Sequence, residues 1–143
     1  TAGYEGLSID GFLNLLISSG IERLIDVRSN PTARRYGFHK STLNRLSNRL
    51  EIEYRHFAEL GIQSEVRQLF PADCDRGMMF DEYEVVTLTR ESAAVRDVAK
   101  LVSERPSVLV CMEAEPSCCH RSRLANPVSE LTGLPIIHLR PTP

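Results

Sequence analysis

The sequence predicts an α/β fold: a three-layer, Rossmann-like arrangement around a mostly parallel central sheet of about five strands, in one domain over residues 1–143. Two observations carry that expectation. Short apolar runs such as Leu24-Ile25-Asp26-Val27 and Val108-Leu109-Val110-Cys111 alternate with stretches whose apolar residues recur every three or four positions. Strands separated by helices pair in parallel through right-handed crossovers. The composition, 42% apolar and 25% charged over 143 residues, supplies one buried core and argues against disorder.

The elements follow in order. A short first strand ends at Gly3-Tyr4-Glu5. Ser8 is placed to cap a helix with Ile9, Phe12, Leu13, Leu16 and Ile17 on one face, and Gly20 stops it. Ile21 to Val27 reads as a buried strand broken by Ser29-Asn30-Pro31. A second helix covers about Lys40 to Leu50, with Leu43, Leu46 and Leu50 inward. Glu51 to Phe57 alternates as a strand does, whereas Gly61 to Met79 has no clear period and reads as an irregular excursion or lid. Helix is expected from Phe80 to about Glu104 with a break near Arg90. Ser107 to Met112 is the most apolar strand and hence the central one. Cys119 to Thr132 reads as a helix closed by Gly133, with Pro127 inside it as a source of a kink, and Pro135 to Leu139 as the last strand.

The apolar runs are too short to span a bilayer, so no membrane association is expected. No signal-peptide pattern precedes the first strand. Of the four cysteines (Cys74, Cys111, Cys118, Cys119) two are adjacent, and a chain of this size needs no staples, which suits a reducing cytoplasm. The net charge of −2 is unevenly distributed. Val27 to Leu50 holds six basic residues and no acid, whereas Glu51 to Pro116 holds fourteen acids against seven bases. That pattern points to a local anion site rather than a basic coat over the whole surface.

In parallel α/β sheets the ligand crevice lies beyond the carboxyl ends of the strands. That edge collects Gly3 and Tyr4, then Asp26 and Arg28, then His56 with Glu59, then Cys111 and Glu113. Asp26 and Arg28 are either a buried structural pair or a functional one. Phe38-His39-Lys40 opens the second helix beside Arg34 and Arg35, which makes Arg34, Arg35 and His39 candidate anion contacts, against plain solvent exposure. The densest chemistry is Cys111-Met112-Glu113-Ala114-Glu115-Pro116-Ser117-Cys118-Cys119-His120-Arg121, which runs from a strand through a turn into a helix. Helix N-termini attract anions and lower thiol pKa values, so Cys119 is expected to be largely thiolate. Three readings fit this segment. Cys119 is a nucleophile with His120, His56 or Glu113 moving protons. Alternatively, Cys111, Cys119 and a histidine bind zinc. In the third, the cysteines are packing and Arg121 with the helix start holds an anion. The spacing is neither that of a zinc ribbon nor that of a phosphatase loop. Cys74 and Cys118 read as inert.

Taken together, Thr1-Ala2-Gly3-Tyr4-Glu5, Asp26-Val27-Arg28 with Pro31, Tyr54-Arg55-His56-Phe57-Ala58-Glu59-Leu60-Gly61, Cys111-Met112-Glu113 and Cys119-His120-Arg121 resemble the domain-of-unknown-function family 488 over the whole chain. The family pattern usually has isoleucine where Ala2 stands. The resemblance implies an α/β, Rossmann-like fold. It also implies one site lined by Gly3, Asp26, Arg28, Pro31, His56, Glu59, Leu60, Gly61, Cys111, Glu113, Cys119, His120 and Arg121.

The leading expectation is a small cytoplasmic enzyme, monomer or homodimer, acting on a phosphate-bearing small molecule or nucleic acid. Cys119, His120, Glu113 and His56 would be catalytic. Gly3, Tyr4, Asp26, Arg28, Arg34, Arg35, His39, Glu59, Cys111 and Arg121 would bind substrate. No residue is assigned to a metal in this reading and no cofactor is named. A non-catalytic nucleic-acid or phosphate-binding module is the alternative, and a Cys/His metal-dependent hydrolase the third reading.

Overall fold

The computed structural model describes residues 1–70 and 76–142. Its sheet holds β1 (Ala2–Gly3), β2 (Arg23–Asp26), β3 (Glu53–His56) and β4 (Ser107–Cys111), all parallel, in the order β1-β4-β2-β3. Side-chain alternation divides the core in two. Leu24, Val108 and Val110 face the side covered by α1 (Ile9–Ser18) and α2 (Lys40–Arg49), where they meet Phe12, Phe38 and Leu43. Ile25, Leu109 and Cys111 face the side covered by α5 (Ser92–Glu104) and α6 (His120–Thr132), where they meet Val98 and Leu124. The result is three layers.

Several boundaries fall where the sequence puts them. The Ser8 side chain accepts from the Gly11 N–H at 3.1 Å and caps α1. Gly133, at φ 73°, closes α6 in the left-handed conformation that glycine adopts without strain. The break expected near Arg90 is a turn at Glu91. It follows α4 (Gly77–Glu82) and a π-helical segment, Tyr83–Leu88. Pro127 does not interrupt α6.

Other expectations need correction. The sheet has four strands rather than about five. Pro135–Leu139 lies beside Thr1, whose amino group donates to the Ile137 carbonyl (2.6 Å) and whose carbonyl accepts from Leu139 N–H (2.8 Å), and goes no further as a strand. Pairing stops there because β1 is two residues long and Pro135 has no N–H to offer. The strand order also differs from the 3-2-1-4-5-6 order of dinucleotide-binding sheets, so the likeness holds only at the level of parallel α/β layers. The segment from Gly61 to Met79 contains α3 (Ser64–Gln68) and the start of α4. Its central residues 71–75, with Cys74, lie outside the described residues. Among the described residues no helix is long and apolar enough to cross a membrane.

Register brings the carboxyl ends together. Gly3 is opposite Cys111, and Asp26 is opposite both Val110 and His56. At the end of β2, Asp26 is fully buried and accepts from Arg28 Nε (2.9 Å), Arg28 Nη2 (2.7 Å) and the Tyr54 hydroxyl (2.5 Å). Arg28 Nη1 donates to the Phe38 carbonyl (2.7 Å), which ties the β2–α2 loop to the sheet. Breaking a buried charge pair by removing one partner strands the other. Asp26→Ala is expected to lower the unfolding free energy by about 3–5 kcal/mol, read from urea denaturation. A loss under about 1 kcal/mol would mean that the loop is held by other contacts.

Candidate functional site

Alternation along β4 turns Cys111 toward α6. The chain then turns over residues 113–115, passes through a 3-10 turn (Pro116–Cys118) and enters α6 with Cys119 at the cap position. The Cys119 backbone is extended (φ −139°, ψ 142°) and its side chain caps no helix N–H. The thiol points instead into the core. Cys111 Sγ, Cys119 Sγ and a His120 ring nitrogen therefore lie within 4.8 Å of one another, all three residues buried. His120 Nδ1 is 3.8 Å from Cys111 Sγ and 4.0 Å from Cys119 Sγ. His120 Nε2 is 2.8 Å from the Val27 carbonyl oxygen. A carbonyl only accepts, so Nε2 carries the hydrogen, and in the neutral imidazole the Nδ1 lone pair faces the two sulfurs.

Glu113 borders this cluster. One carboxylate oxygen, Oε2, accepts from the Cys111 thiol at 3.5 Å. The other, Oε1, faces Arg67 Nη1 at 3.3 Å and Arg76 Nη1 at 3.7 Å. Behind it, Arg121 clamps the turn. Its Nη1 donates to the Glu113 carbonyl (2.6 Å), its Nη2 to the Ala114 carbonyl (3.3 Å) and its Nε to Thr1 Oγ1 (3.2 Å). Gly3 is needed for close approach: a Cβ there would sit 1.8 Å from the Glu113 carbonyl oxygen. Gly61 plays the same part against Ser29, where a Cβ would lie 2.1 Å from the backbone nitrogen.

Electrostatics reverse one expectation. Cys119 was expected to ionise readily at a helix start. Burial and the neighbouring Cys111 push its thiol well above the ordinary range, and His120 offsets this only in part. The physical reason is the inward rotamer, which takes the sulfur away from the helix N–H groups and out of water. Burial also pushes Glu113 up. Its own backbone N–H, the Arg67 charge and the Cys119 thiol outweigh that and hold the carboxyl below its usual value. Burial, with the neighbouring Cys111 and Cys119, pushes the Tyr83 phenol up.

The remaining expected site residues are dispersed. Tyr4 stacks on Phe38 with ring centroids 4.2 Å apart and shares Arg28 Nη1 (3.1 Å), so it is buried rather than open to a base. The guanidiniums of Arg28 and Arg121 are both buried and spend their donors on protein acceptors. Half-buried His56 meets the Arg28 carbonyl through Nε2 (2.8 Å). It ends β3, two strands and about 10 Å from β4, away from the cysteines. His39 caps α2, its Nδ1 accepting from Ser41 N–H at 3.4 Å. Arg34 and Arg35 are exposed. Glu59 is exposed on the rim of a cavity of about 420 Å³ that Tyr83 also lines. Tyr83 in turn sets its ring edge-on to His120, centroids 5.3 Å apart.

Sequence reasoning missed Arg67, Arg76 and Tyr83. The two arginines fall in the stretch without periodicity, and no pattern there distinguishes them from a solvated surface. Tyr83 carried the signal of an aromatic in a helical period, which reads as core.

Exposed Cys118 and the buried pair should differ sharply toward alkylation. At neutral pH, site-resolved mass spectrometry is expected to find Cys118 modified first and Cys111 and Cys119 modified only after unfolding. Labelling of folded Cys119 at the rate of Cys118 would restore the thiolate.

No curated protein and no solved structure matches this chain. A family model described as "Domain of unknown function DUF488" matches residues 8–128, which span β2, β3, β4, the Cys111–His120 cluster and most of α6. The chain belongs to the DUF488 family.

Proposed function

We propose that the chain is a metal-dependent hydrolase whose divalent ion is held by Cys111, Cys119 and His120, with Glu113 moving the proton. The observation that carries this is the His120 ring: Nε2–H fixed on Val27, Nδ1 bare and aimed at two thiols. A carbonyl partner that sets the imidazole tautomer is the usual outer support of a histidine ligand. Tetrahedral zinc with these donors needs sulfur-to-nitrogen separations of about 3.6 Å, a few tenths of an ångström inside the separations present. Two thiolates and an imidazole suit zinc or another soft divalent ion, and three protein ligands leave one position open.

The ion would supply Lewis-acid charge at that open position. Glu113 stays ionised near neutral pH and sits beside Cys111, so it can take a proton from an attacking water. The water oxygen bonds to the electrophilic centre of the substrate, and Glu113 returns the proton to the leaving group. No other reactant is consumed. Arg121 and Gly3 act by position, fixing the turn that carries Glu113.

Metal titration tests this reading. One ion per chain should bind, and Cys119→Ser, Cys111→Ser and His120→Ala should abolish tight binding while Cys118→Ser leaves it intact. Ligation displaces a proton from each thiol, so log affinity should rise with pH by about two per unit wherever both thiols start protonated. A pH-independent affinity, or binding unchanged in Cys119→Ser, would sink the centre. Glu113→Gln should keep the metal yet lower kcat by about 10²-fold or more.

A second reading, weak nucleic-acid binding, is favoured by Arg34, Arg35 and Tyr36. All three are exposed, Tyr36 at 73%, and no ion pair of either arginine occurs among the described residues. An aromatic between cations can stack a base. Log affinity for a single-stranded oligonucleotide against log salt should then have a shallow slope, about −2 to −4. Replacing Arg34 and Arg35 together by Ala should flatten it by about one to two units, and an unchanged slope would remove this loop from consideration.

A further inference from the structure

We propose that Arg67 and Arg76 form an anion subsite beside the Cys111–Cys119–His120 centre and take a phosphoryl group of the substrate. The proposal deepens the hydrolase reading and rests on it for the meaning of the subsite, though the subsite can be measured without it.

Two guanidiniums from different places, one on α3 and one just ahead of α4, converge on the same oxygen of Glu113. One carboxylate needs one cation. The contacts, 3.3 and 3.7 Å, are longer than the 2.7–2.9 Å of a closed charge-assisted pair. The side chains are 35% and 30% exposed, so each still presents N–H groups to the outside. Arg67 has five such donors. Among the described residues its other contact besides Glu113 is a long one, 3.4 Å from Nε to the Ile62 carbonyl. Buried Arg28 and Arg121 stand in contrast, each with at least one contact of 2.7 Å or less to a protein acceptor. The arginines first expected to hold phosphate are thus committed to the fold, whereas this pair, among the described residues, is loosely held and partly exposed.

The opposite Glu113 oxygen touches Cys111, so an anion on the two arginines is one carboxylate away from the ligand cluster. A phosphoryl group has three oxygens. Two can each meet a guanidinium fork while the third turns inward toward the centre. A carboxylate, with two oxygens, cannot do both. Glu113 and the incoming anion repel one another, which gives the subsite a distinctive signature.

Inorganic phosphate is the probe, titrated calorimetrically into the full chain, both metal-free and cobalt-loaded. Arg67→Ala and Arg76→Ala should each weaken binding about tenfold or more, with Arg67→Lys between them and the parent. Arg105→Ala, an exposed control at the far end of β4, should bind as the parent does. Glu113→Gln should bind phosphate more tightly. In the cobalt-loaded protein the bound phosphate should show a broadened phosphorus resonance. Equal loss in Arg105→Ala, or parental affinity in a folded Arg67→Ala, overturns the subsite. Should Arg67→Ala fail to fold, absence of tightening in Glu113→Gln overturns it instead. Cobalt uptake without broadening also overturns it, because the anion then binds elsewhere. Failure to take up cobalt with the arginine dependence intact defeats the metal centre and leaves the subsite standing.

Discussion

The hydrogen bond from His120 Nε2 to the Val27 carbonyl is the contact on which the rest of the site depends. Val27 follows the last residue of β2, and its own N–H donates to the Val110 carbonyl at 3.1 Å, one residue before Cys111. The sheet ladder therefore runs directly into the group that holds the imidazole. One bond fixes where α6 starts, which ring nitrogen carries hydrogen, and which way the lone pair points. Loss of that single carbonyl would free the ring to flip and would leave no preferred direction for Nδ1.

Arginine appears in two physical states around this edge. Arg28 and Arg121 are buried and each makes at least one close contact to a protein acceptor, and they fasten loops: Arg28 the β2–α2 connection, Arg121 the Glu113 turn. Removal of Arg28 would leave buried Asp26 without its cation, and removal of Arg121 would leave the Glu113 carbonyl without this donor, so their substitution damages the fold before it reports on chemistry. Arg67 and Arg76 are half-exposed and loosely engaged. Residue type alone does not separate these states. Burial and close contact to an acceptor do.

That difference explains how far the sequence could be read. Apolar β2 and β4, with helices between, are enough to place Gly3, Asp26, His56 and Cys111 on one edge, because parallel pairing forces strand ends together. Cys111 and Cys119 with a histidine are one of three readings that the sequence allows. Its selection over a reactive thiolate depends on the Cys119 rotamer, a torsion that no spacing encodes. The surplus fifth strand has a similar origin: Ile136, Ile137 and Leu139 look like strand residues, yet β1 offers too short a partner for them to pair with. His56 shows the limit of an edge map, since sharing an edge still leaves two strand spacings between it and the thiols.

Packing alone accounts poorly for Cys111, Cys119 and His120. Cysteine is a good small apolar filler, and two of them in a core need no explanation. An imidazole beside them is different. Its Nδ1 acceptor is buried and, among the described residues, meets the two sulfurs at 3.8 and 4.0 Å, where a weak S–H donor contributes little. A buried acceptor left poorly paired costs about 1–3 kcal/mol, a penalty that an aliphatic residue in place of His120 would avoid. The same geometry becomes favourable when one cation sits among the three donor atoms, because the lone pair and both sulfurs then share a charge none of them has alone. Glu113, held by Arg121 from behind and faced by two cations in front, places its remaining carboxylate oxygen against Cys111 at the edge of the three donor atoms.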